Sequence, residues 1–490
     1  MKIVFAASEM IPFAKTGGLA DVTGSLAAEI RALGHEVIAF IPRYKCVDVQ
    51  KLALKEVVSK MEISVGGEKE TGKVFNYSLK NGVQVYFVDH PGFFAREAFY
   101  GTALGDYPDN DRRFIFFQRA VLETLKQIGF KADLIHCHDW QTGLIPVYLK
   151  TLYAQDSFFQ KTKSVFTIHN LGYQGNFPPD SLPTTGLDWN QFRIERLEFY
   201  GKVSFLKGAL LDADSITTVS ERYAQEIQTK EFGSGLEGVL AKRKDSLYGI
   251  VNGIDLEDWN PQTDKEIVAQ FSAEKIDKKW INKNALQKEN GLVLDPKQPL
   301  LGVVSRLVDQ KGMDILIPAL PAMMQRGIQI VLLGTGEEKY HQVLRELAKK
   351  NKGRCAVHIL FDPKMAKRIY AGCDMLLVPS YYEPCGLGQM ISLRFGTIPV
   401  VRHTGGLADT VQNYDFKTSK GNGFSFKDYS AEALLAALDR AVEVYKSHDK
   451  WLELIQTAMA SDVSWNASAK RYVQIYEMTK KRAVEKGSER

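Results

Sequence analysis

Cysteine is scarce in this chain. Its 490 residues include five, Cys46, Cys137, Cys355, Cys373 and Cys385. The number is odd, the spacing wide, and no Cys-x-x-Cys occurs, which argues against a disulfide scaffold and for a reducing compartment. Long apolar runs are missing too: none approaches the roughly 18–20 residues that a membrane-spanning helix needs. The opening MKIVFAAS turns polar at Ser8 and Glu9, too early for a secretory signal or an anchor. Nor does charge of one sign accumulate. With 63 Lys and Arg against 58 Asp and Glu, the net charge is +5. That is weak for this length; it excludes a strongly basic nucleic-acid binder and leaves room for a local basic cleft. No short repeat and no low-complexity segment occurs. These absences point to the cytoplasm, with neither a membrane nor a nucleic acid as partner.

What is present is the composition of a globular protein, 45% hydrophobic and 25% charged, long enough for roughly two to four domains. Apolar runs at 2–7, 37–41, 83–88, 134–136, 164–168 and 216–219 read as strands, with helical periodicity over 20–33, 112–128 and 143–153. The runs lack in/out alternation, as expected of parallel strands covered on both faces by crossover helices. The rhythm resets near residue 245. Strand-like runs at 300–304, 329–333, 356–360, 375–378 and 399–401 then alternate with helical patterns at 313–324, 337–350, 364–371 and 387–394. The expected fold class is α/β, with two doubly wound, Rossmann-like domains in series, 1–244 and 245–464. The last stretch, 467–486, is a charged amphipathic helix with no strand after it. In such folds ligands bind beyond the carboxyl ends of the strands, and a cleft between domains is a favoured place.

The chemically informative residues do fall just after strands. Lys15-Thr16-Gly17-Gly18-Leu19-Ala20-Asp21 lies between the first strand and the first helix. Two glycines let backbone amides approach a ligand, the helix start adds partial positive charge, and Lys15 adds a full one, which suits an anion. The segment is neither a Walker loop nor the dinucleotide fingerprint. Ser305-Arg306-Leu307 and Gln310-Lys311-Gly312 follow the first strand of the second half. Cations at a helix start oppose its dipole, so their placement asks for an anion, and Arg306 with Lys311 can grip a diphosphate. In Pro379-Ser380-Tyr381-Tyr382-Glu383-Pro384-Cys385-Gly386-Leu387, Glu383 can bind sugar hydroxyls, stabilise a cationic transition state, or cap the next helix. His403-Thr404-Gly405-Gly406-Leu407-Ala408-Asp409 echoes residues 16–21 almost letter for letter. Each half thus carries a glycine-rich loop opening a helix, which points to a diphosphate ligand bridged between the halves.

Other segments carry weaker signals. His136-Cys137-His138-Asp139 has metal-binding residue types, but the expectation that its imidazoles lie on opposite faces, and the lack of a second cluster, argue against a metal. Asp212-Ala213-Asp214 reads as the end of a helix rather than a metal-nucleotide Asp-x-Asp. His169-Asn170 ends a strand, where a polar residue can face a cleft or serve the structure. Tyr100-Gly101 and Tyr107-Pro108-Asp109-Asn110 suit sugar stacking or a plain surface turn. Cys385 has no His in its motif, against a thiolate nucleophile.

Residues 15–21, His138-Asp139-Trp140, His169-Asn170-Leu171, Asn252-Gly253-Ile254-Asp255, 306–312, 383–387 and 404–409 together resemble the bacterial glycogen synthase and plant starch synthase family, in family order. The resemblance implies a two-Rossmann glycosyltransferase fold, GT-B, with domains facing across a cleft and a last segment, 465–490, crossing back to the N-terminal domain. It implies retaining transfer of glucose from ADP-glucose to the non-reducing end of an α-1,4-glucan such as glycogen. The glucan side would be N-terminal and the nucleotide-sugar side C-terminal, with no metal and no cofactor. Under it Arg306 and Lys311 hold the diphosphate, Glu383 sits by the glucose, and His169 lies near the 6-hydroxyl. Lys15, Gly18, Thr404 and Gly405 join on the diphosphate side, with Asp139 and Asn110 in the sugar and acceptor region. Asp21, Asn252, Tyr382, Cys385, Gly386 and Leu387 complete the substrate-binding set. Phe361 stands where many relatives carry a tyrosine that stacks on adenine. Tyr381 and Tyr382 depart from a common Arg-Phe, and Ile391 from the second Glu of the wider glycosyltransferase pattern. Donor binding is expected to close the domains. A non-catalytic sugar-binding protein and a sugar-nucleotide epimerase are the competing classes. The intact Lys15, Arg306, Lys311 and Glu383 set opposes the first, and the second would need no glucan acceptor.

Overall fold

Val, Ile and Phe crowd the strand Lys2–Ala6, β1, which has a parallel neighbour on each side and is buried over its last four residues. Around it the computed structural model, which describes residues 1–102 and 105–487, builds a nine-stranded sheet. The further strands are β2 (Glu36–Pro42), β3 (Lys55–Val65), β4 (Glu68–Ser78), β5 (Gln84–Asp89), β6 (Leu134–His138), β7 (Lys163–Ile168), β8 (Ser215–Thr218) and β9 (Leu247–Gly249). Their order is β9-β8-β7-β6-β1-β2-β5-β4-β3. Strand order reverses between β1 and β6, so their carboxyl ends form a switch point of the kind that receives ligands. Pairing is parallel from β9 to β5.

The edge departs from the parallel pattern expected. β3 and β4 form an antiparallel hairpin turning on Gly66 and Gly67, at φ +63° and +81°. Both residues lie where glycine is favoured, and such a two-residue turn matches the twist of the flanking strands.

Helix α1 (Gly18–Ala32) buries Leu19, Val22, Leu26 and Ile30, one stripe at helical spacing. The C-terminal helix Trp465–Gly487 belongs to the same unit. Its Trp465, Ala469, Tyr472 and Tyr476, again at helical spacing, enter the core with Ile3, Phe5 and Leu26. Residues 488–490 of the expected returning segment lie outside the described residues.

The second unit holds a six-stranded parallel sheet. Its strands are β10 (Leu300–Val304), β11 (Gln329–Leu333), β12 (Cys355–His358), β13 (Met375–Val378), β14 (Ile398–Arg402) and β15 (Phe424–Phe426), in the order β12-β11-β10-β13-β14-β15. Here the switch point lies between β10 and β13. The first unit comprises Met1–Val219 and Ala224–Ile250 besides the C-terminal helix, and the second Ser220–Tyr223 and Val251–Ser464. The passage falls after Ile250, not at the expected 244, because β9 pairs with β8 and keeps residues 247–249 in the first sheet. Among the described residues no helix is long and apolar enough to cross a membrane.

Candidate active site

In the second unit, Arg306 follows β10, and Lys311 ends a 3-10 turn ahead of helix α2 (Met313–Gln325). Gly312 has φ +75°, and a Cβ there would sit 2.1 Å from the Pro379 carbonyl oxygen. Glycine is therefore what lets this turn press against the loop after β13. Tyr381 N–H donates to the Gln310 carbonyl at 2.9 Å and joins the two segments. The clamp brings Lys311 Nζ to 2.5 Å from Glu383 Oε2, to which Ser380 Oγ also donates at 2.8 Å. Glu383 is 5% exposed. Its carboxylate meets a lysine and a hydroxyl and does not cap helix α3 (Gly388–Arg394).

The second glycine-rich loop presses on this same loop. A Cβ on Gly405 would lie 1.9 Å from the Glu383 carbonyl oxygen, and one on Gly406 2.1 Å from that of Cys385. Gly406 N–H donates to the carbonyls of Glu383 and Pro384, each at 3.1 Å. At Gly405 and Gly406 the missing side chain lets backbone pack on backbone, and the Gly406 amide is spent on protein. Thr404, 2% exposed, is the extended residue ahead of helix α4 (Gly405–Thr410).

Burial pushes the Cys385 thiol up to about 12, with the backbone N–H of Asn252 on its sulfur, so no thiolate forms near neutral pH. Asn252 is buried, and its Oδ1 has no hydrogen-bond partner among the described residues. Gly386 has φ +75° and Leu387 precedes α3. The Tyr382 carbonyl accepts from Gln310 Nε2 at 3.4 Å. Arg306 is exposed and donates to Gln310 Oε1 at 3.1 Å. Phe361, 82% exposed, stands beyond β12, two strands from β10.

In the first unit the organising residue is Glu9, which the motif spacing missed. Its buried carboxylate accepts from Thr16 N at 2.5 Å, Thr16 Oγ1 at 2.6 Å and Gly17 N at 3.3 Å, and from Tyr100 OH at 2.6 Å. A protein carboxylate thus occupies the Thr16 amide and that of Gly17, one of the two glycines expected to face a ligand. Gly18 opens α1, and Lys15 lies 2.6 Å from Asp21 Oδ1. Around Gly17 the position of a Cβ is open space, the opposite of Gly405 and Gly406. The available signal was the polar pair Ser8-Glu9 ending an apolar strand. Asn110 Nδ2 donates to the Tyr100 carbonyl at 2.8 Å, and its Oδ1 accepts from Arg113 at 2.6 Å. It buttresses the Tyr100 loop and, through it, Glu9.

Asp139 and His169 end the neighbouring strands β6 and β7. Asp139 has φ +57°, a left-handed conformation uncommon outside glycine, and its Oδ1 accepts from His169 N at 2.8 Å. Burial raises its carboxyl to about 7. The His169 imidazole is lowered by burial to about 3 and is neutral near pH 7. Its Nε2 lies 3.0 Å from His138 Nδ1. The rings of His136 and His138 are 4.0 Å apart. This overturns the opposite-face expectation, because alternate residues of a strand share a face. His136 is engaged by Thr167 Oγ1 at 2.6 Å and Tyr476 OH at 2.8 Å. Asp212 pairs with Arg196 at 2.7 Å, and Asp214 accepts from Ser164 N at 2.8 Å, both structural roles.

Comparison with known proteins adds to this geometry. The family model of the starch synthase catalytic domain matches residues 2–242, and that of glycosyl transferases group 1 matches 285–456. The chain is similar to a glycogen synthase of Geotalea daltonii, 48% identical over 478 residues, spanning 98% of this chain and 99% of that one. The chain belongs to the glycogen and starch synthase family. A glycogen synthase 2 of Geobacter sulfurreducens is 47% identical over 98% of this chain and 99% of its own. Among solved structures, the catalytic domain of starch synthase IV from Arabidopsis thaliana, bound to ADP and acarbose, has a TM-score of 0.90 at 36% identity, covering 98% of this chain and 99% of that one. Sucrose-phosphate synthase from Thermosynechococcus elongatus, at 17% identity and TM-score 0.60 over 97% and 98%, shares the fold. This family member is a glycosyltransferase with the two-domain α/β GT-B fold.

Proposed function

We propose that the chain is a glycogen synthase that transfers glucose from ADP-glucose to the non-reducing end of an α-1,4-glucan, with retention, and releases ADP. The observation that carries this is the Lys311–Glu383 pair at 2.5 Å, set beyond the adjacent strands β10 and β13 and clamped by glycine contacts. The ADP and acarbose held by the starch synthase IV relative support the substrate classes.

In this reaction Lys311 and Arg306 offset the charge that develops on the leaving diphosphate. Glu383, parted from Lys311 when the anion arrives, faces the glucosyl ring. The departing phosphate accepts the proton of the acceptor hydroxyl on the face that it leaves. The chain then needs fixed cations more than a strong base, and the neutral His169 hydrogen-bonds the 6-hydroxyl without adding charge. No metal and no cofactor takes part. The five unpaired cysteines fit a cytoplasmic setting.

The test supplies ADP-glucose and UDP-glucose separately, each with and without glycogen, and measures polymer label and released nucleoside diphosphate. Label and ADP release from ADP-glucose, dependent on glycogen, are expected. Turnover without an acceptor would point to an epimerase, and no label from either donor would overturn the proposal.

A further inference from the structure

Beside the Lys311–Glu383 pair, in the second unit, lies an open hollow of about 730 Å³ whose wall is largely tyrosine: Tyr340, Tyr381, Tyr382 and Tyr429, with Asp309 and Asp314 at its rim. We propose that this hollow binds a stretch of α-glucan chain, separately from the sugar that reacts; the inference rests on the glycogen synthase reading above.

Three features point to a neutral, polyhydroxylated ligand. The first is shape and surface. The volume falls within the ~300–1,000 Å³ usual for small-molecule sites. A pyranose ring has C–H faces and a rim of hydroxyls. Tyrosine matches both, with an apolar face and a hydroxyl at its edge.

The second is the angle of the rings. The Tyr381 and Tyr429 rings are 5.0 Å apart at 66°, and Tyr381 and Tyr382 are 6.3 Å apart at 79°. A flat β-1,4 chain would ask for coplanar platforms. The α-1,4 linkage turns each sugar against the last, and angled planes follow that curve.

The third is charge. Asp309 and Asp314 are acceptors for sugar hydroxyls and repel a diphosphate. The lysine of the lining, Lys339, is held by Asp309 at 2.9 Å and Glu337 at 2.8 Å.

The rings are also held before any ligand arrives. Arg402 lies with its guanidinium carbon 5.4 Å from the Tyr381 ring centre and 5.0 Å from that of Tyr429, and it donates to the Tyr381 carbonyl. Tyr429 OH donates to Asp314, and Tyr340 OH to Asp309. A platform fixed in this way loses little rotamer freedom when it binds.

The test is native electrophoresis in gels cast with glycogen, alongside steady-state kinetics. In Tyr429→Ala, glycogen retardation is expected to weaken and KM for glycogen to rise about 3- to 10-fold, the worth of an aromatic face. KM for ADP-glucose should hold. Asp314→Asn, on an exposed helix position, should weaken retardation in the same direction and covers the case in which Tyr429→Ala fails to fold. Unchanged retardation of folded Tyr429→Ala and Asp314→Asn would overturn the proposal. So would equal retardation of the unaltered protein by hydroxyethyl cellulose. Retardation by glycogen with no glucose transfer from any donor would leave the hollow standing and sink the proposed reaction instead.

Discussion

Lys311 Nζ and Glu383 Oε2, 72 residues apart in the chain, meet at 2.5 Å. Neither residue has this partner from its own local segment. The contact exists because Gly312 lets one strand-end turn lie on another. Lys311→Met and Glu383→Gln are each expected to lower kcat by about 10²–10³. The double variant should lose little beyond the worse single one, because the two act as a unit. Lys311→Met also leaves a nearly buried carboxylate unpaired, at a cost on the order of 3 kcal/mol. Glucose-incorporation kinetics and chemical denaturation check both. Strictly multiplicative losses in kcat would break the coupling.

The 3.0 Å contact of His138 Nδ1 with His169 Nε2 holds one proton between two neutral rings. His138 is fully buried, and its Nε2 has no hydrogen-bond partner among the described residues. A buried N–H without an acceptor is the rarer orphan in folded proteins, so the proton belongs on His138 Nδ1. His169 then accepts at Nε2 and carries its own proton on Nδ1, which it presents away from His138 as a donor. Nitrogen-15 NMR of histidine-labelled protein should find His169 as the Nδ1–H tautomer. An Nε2–H signal for His169 would reverse the assignment.

Asp139 and His169 bend stability with pH in opposite directions. An acid whose folded pKa is raised favours the fold below its ordinary value and loses that contribution as pH climbs through the folded one. Asp139, held at about 7 by burial, loses it between roughly pH 4 and that value. His169 is a base held at about 3. The unfolded chain binds more protons there, so its contribution rises with pH up to roughly 6.5. Asp139→Asn removes the first slope and keeps the second. Relative to the unaltered protein, it should gain a few kcal/mol on going from about pH 4.5 to about pH 8. Urea denaturation at both values measures this, and a parallel shift would exclude the raised carboxyl.

The two Thr-Gly-Gly-Leu-Ala-Asp segments should answer differently to one added methyl. Gly406→Ala drives a Cβ to 2.1 Å from a carbonyl oxygen, whereas Gly17→Ala enters open space at φ −155°. Thermal unfolding should fall by several degrees or more for Gly406→Ala and hold within about a degree for Gly17→Ala. If donor KM rises in Gly17→Ala while melting holds, that space is where the ligand comes.

Much of this was readable from the chain. The strands, their alternation with helices, and the sites just past strand ends follow from hydrophobic spacing and turn residues. The family motifs singled out Lys311 and Glu383, which the structure brings to 2.5 Å of each other. Less legible were the β3–β4 hairpin, whose Gly66-Gly67 turn was the local cue, and Glu9, whose acceptance of the Thr16 and Gly17 amides leaves no periodic trace.

What the sequence by itself determined is the order and kind of elements and which residues end each strand, because these depend on neighbours within about two helical turns. Only the tertiary structure decided which strand ends adjoin. It set Lys311 against Glu383, gave the Thr16 and Gly17 amides to Glu9, and packed Gly405 and Gly406 onto the Glu383 loop. The reason is physical: identical letters have the same local preferences, but what a backbone amide or a Cβ meets is set by a distant segment brought within contact distance by the sheet.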